Sequence, residues 1–236
     1  MYNISLIGKK YEDTILFTDE TIMGESNSCK IVNSIGGIYN FKEIEYEKHN
    51  LSCITVGRKK AYVIVDRKTS KRTSFVNTVS ESNISSSIID KINQSDWLHV
   101  CYIDDIEDYK KLLDIKVSLS LDFCTLKNRN EFARLIDKSV FIFDSRERKH
   151  LYENIETKTP IILHDEYGVE IIKNNDIIFS VENTPVSGLN VNGAGDIFSA
   201  IFLKNYRTYG IMKSAELAMR KTTNILINRR ENEQKI

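Results

Sequence analysis

Proline and cysteine are both scarce in this chain of 236 residues, which has two prolines (Pro160, Pro185) and four cysteines (Cys29, Cys53, Cys101, Cys124). Four scattered cysteines with no Cys-x-x-Cys pair exclude a disulfide scaffold. Free thiols in a reducing cytoplasm are the expected setting. His49, His99, His150 and His164 are equally dispersed, so no His/Cys cluster has zinc-like spacing. Charge of one sign is also missing, because 33 Lys plus Arg balance 33 Asp plus Glu. That balance gives no electrostatic reason to expect a nucleic-acid or membrane-surface partner. The basic clusters Arg67-Lys68, Lys71-Arg72 and Arg229-Arg230 read as solvated faces. No apolar run is long enough to span a bilayer. The start, Met1 to Lys10, turns charged too soon for a secretory signal. What remains is a chain large enough to bury a substantial core as a single domain over residues 1–236.

The apolar pattern is of two kinds. From Trp97 onward, strands and helices alternate. A helix is expected at 84–92, and after it strands at 97–102, 117–122, 140–143 and 160–164 with helices at 106–113, 131–136, 146–154, 197–206 and 212–228. Residues 168–172 and 177–181 read as a hairpin across Asn174-Asn175-Asp176. Alternation of this sort predicts an α/β fold with a mostly parallel sheet covered by helices. The first third is strand-rich instead, with strands at 3–8, 51–56 (ended by Gly57), 61–65 and 73–76. A charged stretch at 41–49 is expected as a short helix. The first third can supply a small β lid, from about 11–35 and 61–77.

One segment carries chemistry. Asn192-Gly193-Ala194-Gly195-Asp196 runs directly into the apolar stretch Ile197 to Leu203. A small-residue turn feeding a helix N-terminus exposes free backbone N–H groups, and the helix dipole favours an anion there. An aspartate in that turn repels an anion. It makes sense if it takes a proton from a hydroxyl while the amides hold the phosphoryl group being transferred. The competing account is that Asp196 is simply a helix N-cap.

Gly-Ala-Gly-Asp near the C-terminal end, followed by an apolar helix with Ser199 and Ala200, resembles the signature of the ribokinase-like (pfkB) carbohydrate kinases. The resemblance implies a three-layer α/β/α sandwich with a β lid. It makes Asp196 the catalytic base and Gly193, Ala194 and Gly195 the anion hole. Asp13, following Gly8, takes the place of the family's substrate-binding aspartate. Gly36, Gly37 and Asn40 resemble its glycine-pair motif, which binds acceptor hydroxyls. Gly24-Glu25 resembles a step in its lid. Asp144-Ser145-Arg146-Glu147 resembles its Asn-x-x-Glu motif, making Asp144 and Glu147 nucleotide-side residues. Glu147 would hold magnesium, usually through water. Gly168 matches the last glycine of the nucleotide turn. Read from the residues alone, Asp144 with Glu147 is also a helix capping box.

The chain departs from the family pattern at several points. Tyr11 replaces an asparagine, and with both glycines aligned the spacing to Asn40 is one residue short, so either Ile35 takes the first glycine's place or Asn40 is not the equivalent asparagine. Only Arg58-Lys59-Lys60 stand where a helix usually lies, and Asn190-Val191 replaces an Asp-Thr pair associated with a monovalent cation. The implied activity is an ATP- and Mg2+-dependent transfer to a hydroxyl of a sugar or sugar-like substrate. The alternatives are a nucleoside kinase, or a non-catalytic pseudokinase that binds sugar or nucleotide. A homodimer through the β lid is a further expectation.

Overall fold

The computed structural model describes residues 2–18, 29–43, 49–66 and 72–234. Two very long strands organise it. β1 (Tyr2–Thr18) and β3 (His49–Asp66) run parallel from end to end, with a bulge opposite Gly8/Lys9. Their first halves belong to the central sheet, where β1 also pairs in parallel with β5 (Trp97–Val100). Parallel neighbours continue through β6 (Ser118–Asp122), β7 (Phe141–Ser145) and β8 (Ile161–Asp165). The hairpin of β9 (Gly168–Lys173) and β10 (Asp176–Glu182) closes one edge antiparallel. Their second halves form a lid with β2 (Lys30–Gly37) and β4 (Arg72–Ser80), each antiparallel to a long strand.

Gly57 therefore does not end a strand. Its lack of a side chain serves close approach instead, since a Cβ there would meet the Ser80 carbonyl at 3.0 Å and Lys9 Cε at 3.1 Å. Arg58-Lys59-Lys60 continue β3 with alternating faces, so the charged link expected between two strands is strand itself. Thr73 to Val76 does pair with residues 61–64 of β3, as the sequence indicates.

Buried strands β5, β7 and β8 carry apolar side chains on both faces, as parallel strands covered on both sides do, while β6 turns Leu119 and Leu121 to one face and Ser118, Ser120 and Asp122 to the other. Ile4, Leu6, Phe141, Phe143 and Ile162 pack against Ile197, Phe198, Ile201 and Phe202 of α3 (Ala194–Gln234). On the other face, Ile7, Leu98, Val100, Leu119, Leu121 and Ile142 meet Ile92 of α1 (Ser86–Ile92) and Leu135 and Ile136 of α2 (Ala133–Lys138). The result is three layers, α/β/α. α3 is broken at Gly210 (φ 73°), so it holds the two helices read from the sequence.

Two other expected helices are 3-10 turns, at Tyr109–Asp114 and Arg146–Tyr152. In the second, Arg146 and Lys149 both reach Glu170, at 2.8 Å each. Residues three apart on one line match the eclipsed spacing of a 3-10 helix. No capping box forms there. Asp144 accepts from the adjacent Ser145 N–H, and Ser145 makes no side-chain cap. The expected helix at 41–49 is a 3-10 turn over Ile38–Glu43, and 44–48 lie outside the described residues. Gly24-Glu25 also lies outside them.

The lid's own core is Ile15, Phe17, Ala61, Val63 and Val65. Its outer face leaves Ile31, Ile35, Tyr62 and Phe75 exposed. No helix among the described residues is long and apolar enough to cross a membrane.

Candidate active site

The carboxyl ends of the parallel strands open under the lid into a cavity of about 620 Å³. Ligands in open α/β sheets bind at that end. Tyr102 follows β5, Asp122 ends β6, Asp144 lies in β7, and His164 and Asp165 end β8. Each of them lines the cavity. The lid contributes Tyr11, Asp13, Lys59 and Arg72, and the Gly193–Gly195 turn closes the other side.

Asp196 sits in the first turn of α3 with none of its surface exposed. It does not cap the helix. Its Oδ2 accepts hydrogen bonds from Asn40 Nδ2 (2.7 Å) and the Tyr102 hydroxyl (2.6 Å). Oδ1 is enclosed, without a partner among the described residues. Burial pushes the carboxyl up to about 6; the bonds from Tyr102 and Asn40 and the charge of Arg72 oppose that rise. A carboxylate held near neutrality is suited to general-base work.

The turn before it is built for close contact. Gly193 has φ 73°, and a Cβ there would lie 2.6 Å from Asn40 Nδ2. Gly193→Ala is expected to displace Asn40 from Asp196. Thermal unfolding should record a loss of about 1–3 kcal/mol, and any activity should fall with it. The Ala194 N–H is already given to the Val191 carbonyl (3.1 Å). The N–H groups of Gly193, Gly195 and Asp196 have no acceptor among the described residues. Gly195 differs from Gly193. A Cβ there meets only His164, at an ordinary 3.5 Å. The protein's own packing does not require that glycine, and it keeps the space before the free amides clear.

Asp13 is buried, bonded by Asn192 Nδ2 (3.0 Å), and raised above the usual carboxylate range by desolvation. Asn192 Oδ1 takes a bond from Arg72 (3.1 Å), and Arg229 holds the Asn192 carbonyl (2.9 Å). Arg72 and Arg229 are thus tied to the site rather than forming solvated faces. Gly36 allows Asp13 its position, since a Cβ there would sit 2.7 Å from Asp13 Oδ2. Gly37 has φ 66° and lies against the Lys9 carbonyl. These contacts bring Asp13, Gly37, Asn40 and the 193–195 turn together on the cavity wall, with Gly36 and Asp196 packed behind them.

Asp144, also on the cavity wall, is fully engaged. It accepts from Arg129 (2.8 and 3.1 Å), Arg148 and the Tyr152 hydroxyl (2.7 Å). Glu147 is exposed at the cavity rim with no ion pair among the described residues. Gly168 starts β9 and would meet the Val181 carbonyl at 2.2 Å if it bore a Cβ, so its glycine serves the hairpin pairing. No cluster of three or more metal-ligating side chains occurs among the described residues.

Tyr102, Asp122 and Lys59 join the site without having been singled out from the sequence, and Asn192, quoted there as part of the turn, proves to be the partner of Asp13 and Arg72. Tyr102 is the most informative of them, because it holds a left-handed backbone (φ 57°) and touches Asp196. Asp122 is buried, and desolvation followed by the nearby charges of Asp196 and Asp144 raises its carboxyl far above normal.

No protein-family model matches the chain, and no curated protein matches it in sequence. Solved structures do match in fold. A ribokinase from Thermotoga maritima superposes with TM-score 0.65 at 14% identity, over 94% of this chain and 91% of that one. A nucleoside kinase from Methanocaldococcus jannaschii gives TM-score 0.63 at 15% identity, over 96% and 92%. A pyrophosphate-dependent kinase in the ribokinase family gives 0.65 at 16%, over 99% and 100%. This chain has the ribokinase-like fold.

Proposed function

We propose that this protein is a phosphotransferase that moves the terminal phosphoryl group of a nucleoside triphosphate onto a hydroxyl of a sugar or sugar-like substrate. One arrangement carries the reading. Asp196, buried and held near pKa 6, lies directly behind the Gly193–Gly195 turn, whose unpaired Gly193 and Gly195 amides line the cavity under the lid. Asp196 would accept the proton of the attacking hydroxyl. The amides would face the negative charge of the group in transfer. Asp13 and Asn40, on the same part of the cavity wall, would orient the acceptor through its other hydroxyls, with Gly36 and Gly37 leaving room for it.

On the donor side, Val186, Leu189, Met219 and Leu226 line an apolar part of the cavity suited to a flat base. That slot favours a nucleotide such as ATP over bare pyrophosphate. Magnesium fits the residues present as a hydrated ion rather than a fully caged one. Glu147 and Asp122 are cavity carboxylates without hydrogen-bond partners among the described residues. Such an ion neutralises phosphate charge when bound. Asp144, committed to its arginines, would act by fixing Arg129 and Arg148, from the turns on either side, against the end of β7. A reducing, cytoplasmic setting belongs to the same reading, supported by four free cysteines.

The test is phosphoryl transfer from Mg-ATP, and separately from Mg-pyrophosphate, to a panel of sugars, sugar phosphates and nucleosides. Transfer from ATP to a sugar is expected. Transfer to nucleosides alone would change the acceptor class. Pyrophosphate as the better donor would overturn the role of the apolar slot. Binding of ATP or sugar with no transfer would support the non-catalytic alternative, which the enclosed Asp196 favours.

A further inference from the structure

Asp196 cannot be reached in this structure. The residue exposes no surface, its Oδ1 is enclosed, and its Oδ2 already takes two donors. An acceptor hydroxyl that gives its proton to this carboxylate must first hydrogen-bond to it. Since Oδ1 is enclosed, the route that needs least rearrangement is Oδ2, where one of the present donors gives way.

Asn40 is poorly placed to leave. It is buried and wedged against Gly193, and it lies close to Gly36. Tyr102 is different. It is half-buried, lines the cavity, and sits on the short link between β5 and the next 3-10 turn. Its φ and ψ of 57° and 62° are costly for a bulky residue and persist only where surroundings enforce them. Its ring rests edge-on against Tyr11 at 5.9 Å, and Tyr11 lines the same cavity. The hydroxyl donates to Oδ2 at 2.6 Å, just as an acceptor alcohol would.

We propose that Tyr102 is a plug, whose hydroxyl occupies the acceptor's place on Asp196 in the empty site and is displaced when the acceptor binds. The proposal rests on the reading of Asp196 as the base. Its consequence is control of water. With the phenol in place, water cannot hydrogen-bond to the base and attack the donor. In that side reaction, a water oxygen would bond to the terminal phosphorus. The bond from phosphorus to the bridging oxygen would break, the water proton would pass to Asp196, and the nucleoside diphosphate would leave. The plug opposes this loss, and acceptor binding is weakened because a charge-assisted hydrogen bond must be broken first.

Tyr102→Phe keeps the ring and removes the hydroxyl. Two quantities are read: Mg-ATP hydrolysis without acceptor, and KM and kcat for the acceptor. Hydrolysis is expected to rise severalfold, and acceptor KM to fall by about tenfold with kcat nearly unchanged. The double variant with Asp196→Asn should return hydrolysis to background, because the water used the same base. A thermal melt confirms that each variant is folded. Hydrolysis unchanged in Tyr102→Phe, or an acceptor KM that rises, would overturn the plug. A rise in KM would mean that the phenol stays on the base during reaction. Wild-type transfer that survives Asp196→Asn would instead overturn the base and the plug together. The two failures are therefore distinct.

Discussion

Asp196→Asn should lower kcat for phosphoryl transfer by about 10²- to 10⁴-fold, while ATP and acceptor still raise the melting temperature. The amide keeps the shape of the carboxylate and can still meet its neighbours, but it cannot take a proton. The pH dependence makes the assignment sharper. With the carboxyl pushed up to about 6, chiefly by burial, the base is protonated below that pH. kcat/KM should therefore fall on the acid side with an apparent pKa near 6. Tyr102, Asn40 and Arg72 pull that value down, and Asp13 pushes it up. Stability moves in the opposite sense. A carboxyl raised in the folded state binds more protons there than when unfolded. Its contribution is thus fully present below its unfolded value near 4 and lost as pH rises through 6. An acid limb that stays in place when Asp13 is changed to Asn would argue against this coupling.

Arg129→Met should destabilise the fold by about 3–5 kcal/mol, read from denaturant unfolding. Arg129 is wholly buried between Asp104 and Asp144, and its guanidinium also holds the Thr125 and Lys127 carbonyls. The ring of Phe123 lies 4.2 Å below it. Methionine fills similar volume but leaves the buried carboxylates with less counter-charge. Asp104 also fixes the Cys124 and Thr125 amides, so the cavity floor after β6 should loosen as well. Donor binding would then weaken alongside stability. Replacing Asp104 by Asn in the same chain should recover part of the loss, because Asp144 keeps Arg148 while Asp104 has no other ion-pair partner among the described residues.

The parts of the site that the sequence reveals are those made by neighbours along the chain. Gly193 to Asp196 is legible because turn, helix start and carboxylate lie within four residues. Gly36 and Gly37 are legible for the same reason. Tyr102 is not, because nothing within the segment 101–105 hints at a partner 94 positions away. Its signal is conformational, a left-handed tyrosine, and that is visible only in coordinates. Arg72 and Arg229 look like solvent-facing charge in sequence, and only the crossing of lid and helix over Asn192 gives them a task. Secondary structure follows the same division. Buried strands β7 and β8 announce themselves by continuous apolar runs, Phe141 to Phe143 and Ile161 to Leu163. β3 does not, because Gly57 and three basic residues read locally as a break. Its continuity is imposed by β1 alongside.

That pairing has a mechanical meaning. β1 and β3, 17 and 18 residues long, each span roughly 55–60 Å if fully extended, and they are bonded in register from the core sheet to the lid tip. The lid has no separate stalk. It is the far end of two girders whose near ends are anchored in the floor, with one irregularity at Gly8/Lys9 where they can flex. Any movement of the lid would then bend the twin strands about that bulge and be felt at both ends at once. A load placed at the lid, whether a bound molecule or a second chain, would reach the strand ends beside Tyr102 without passing through any loop.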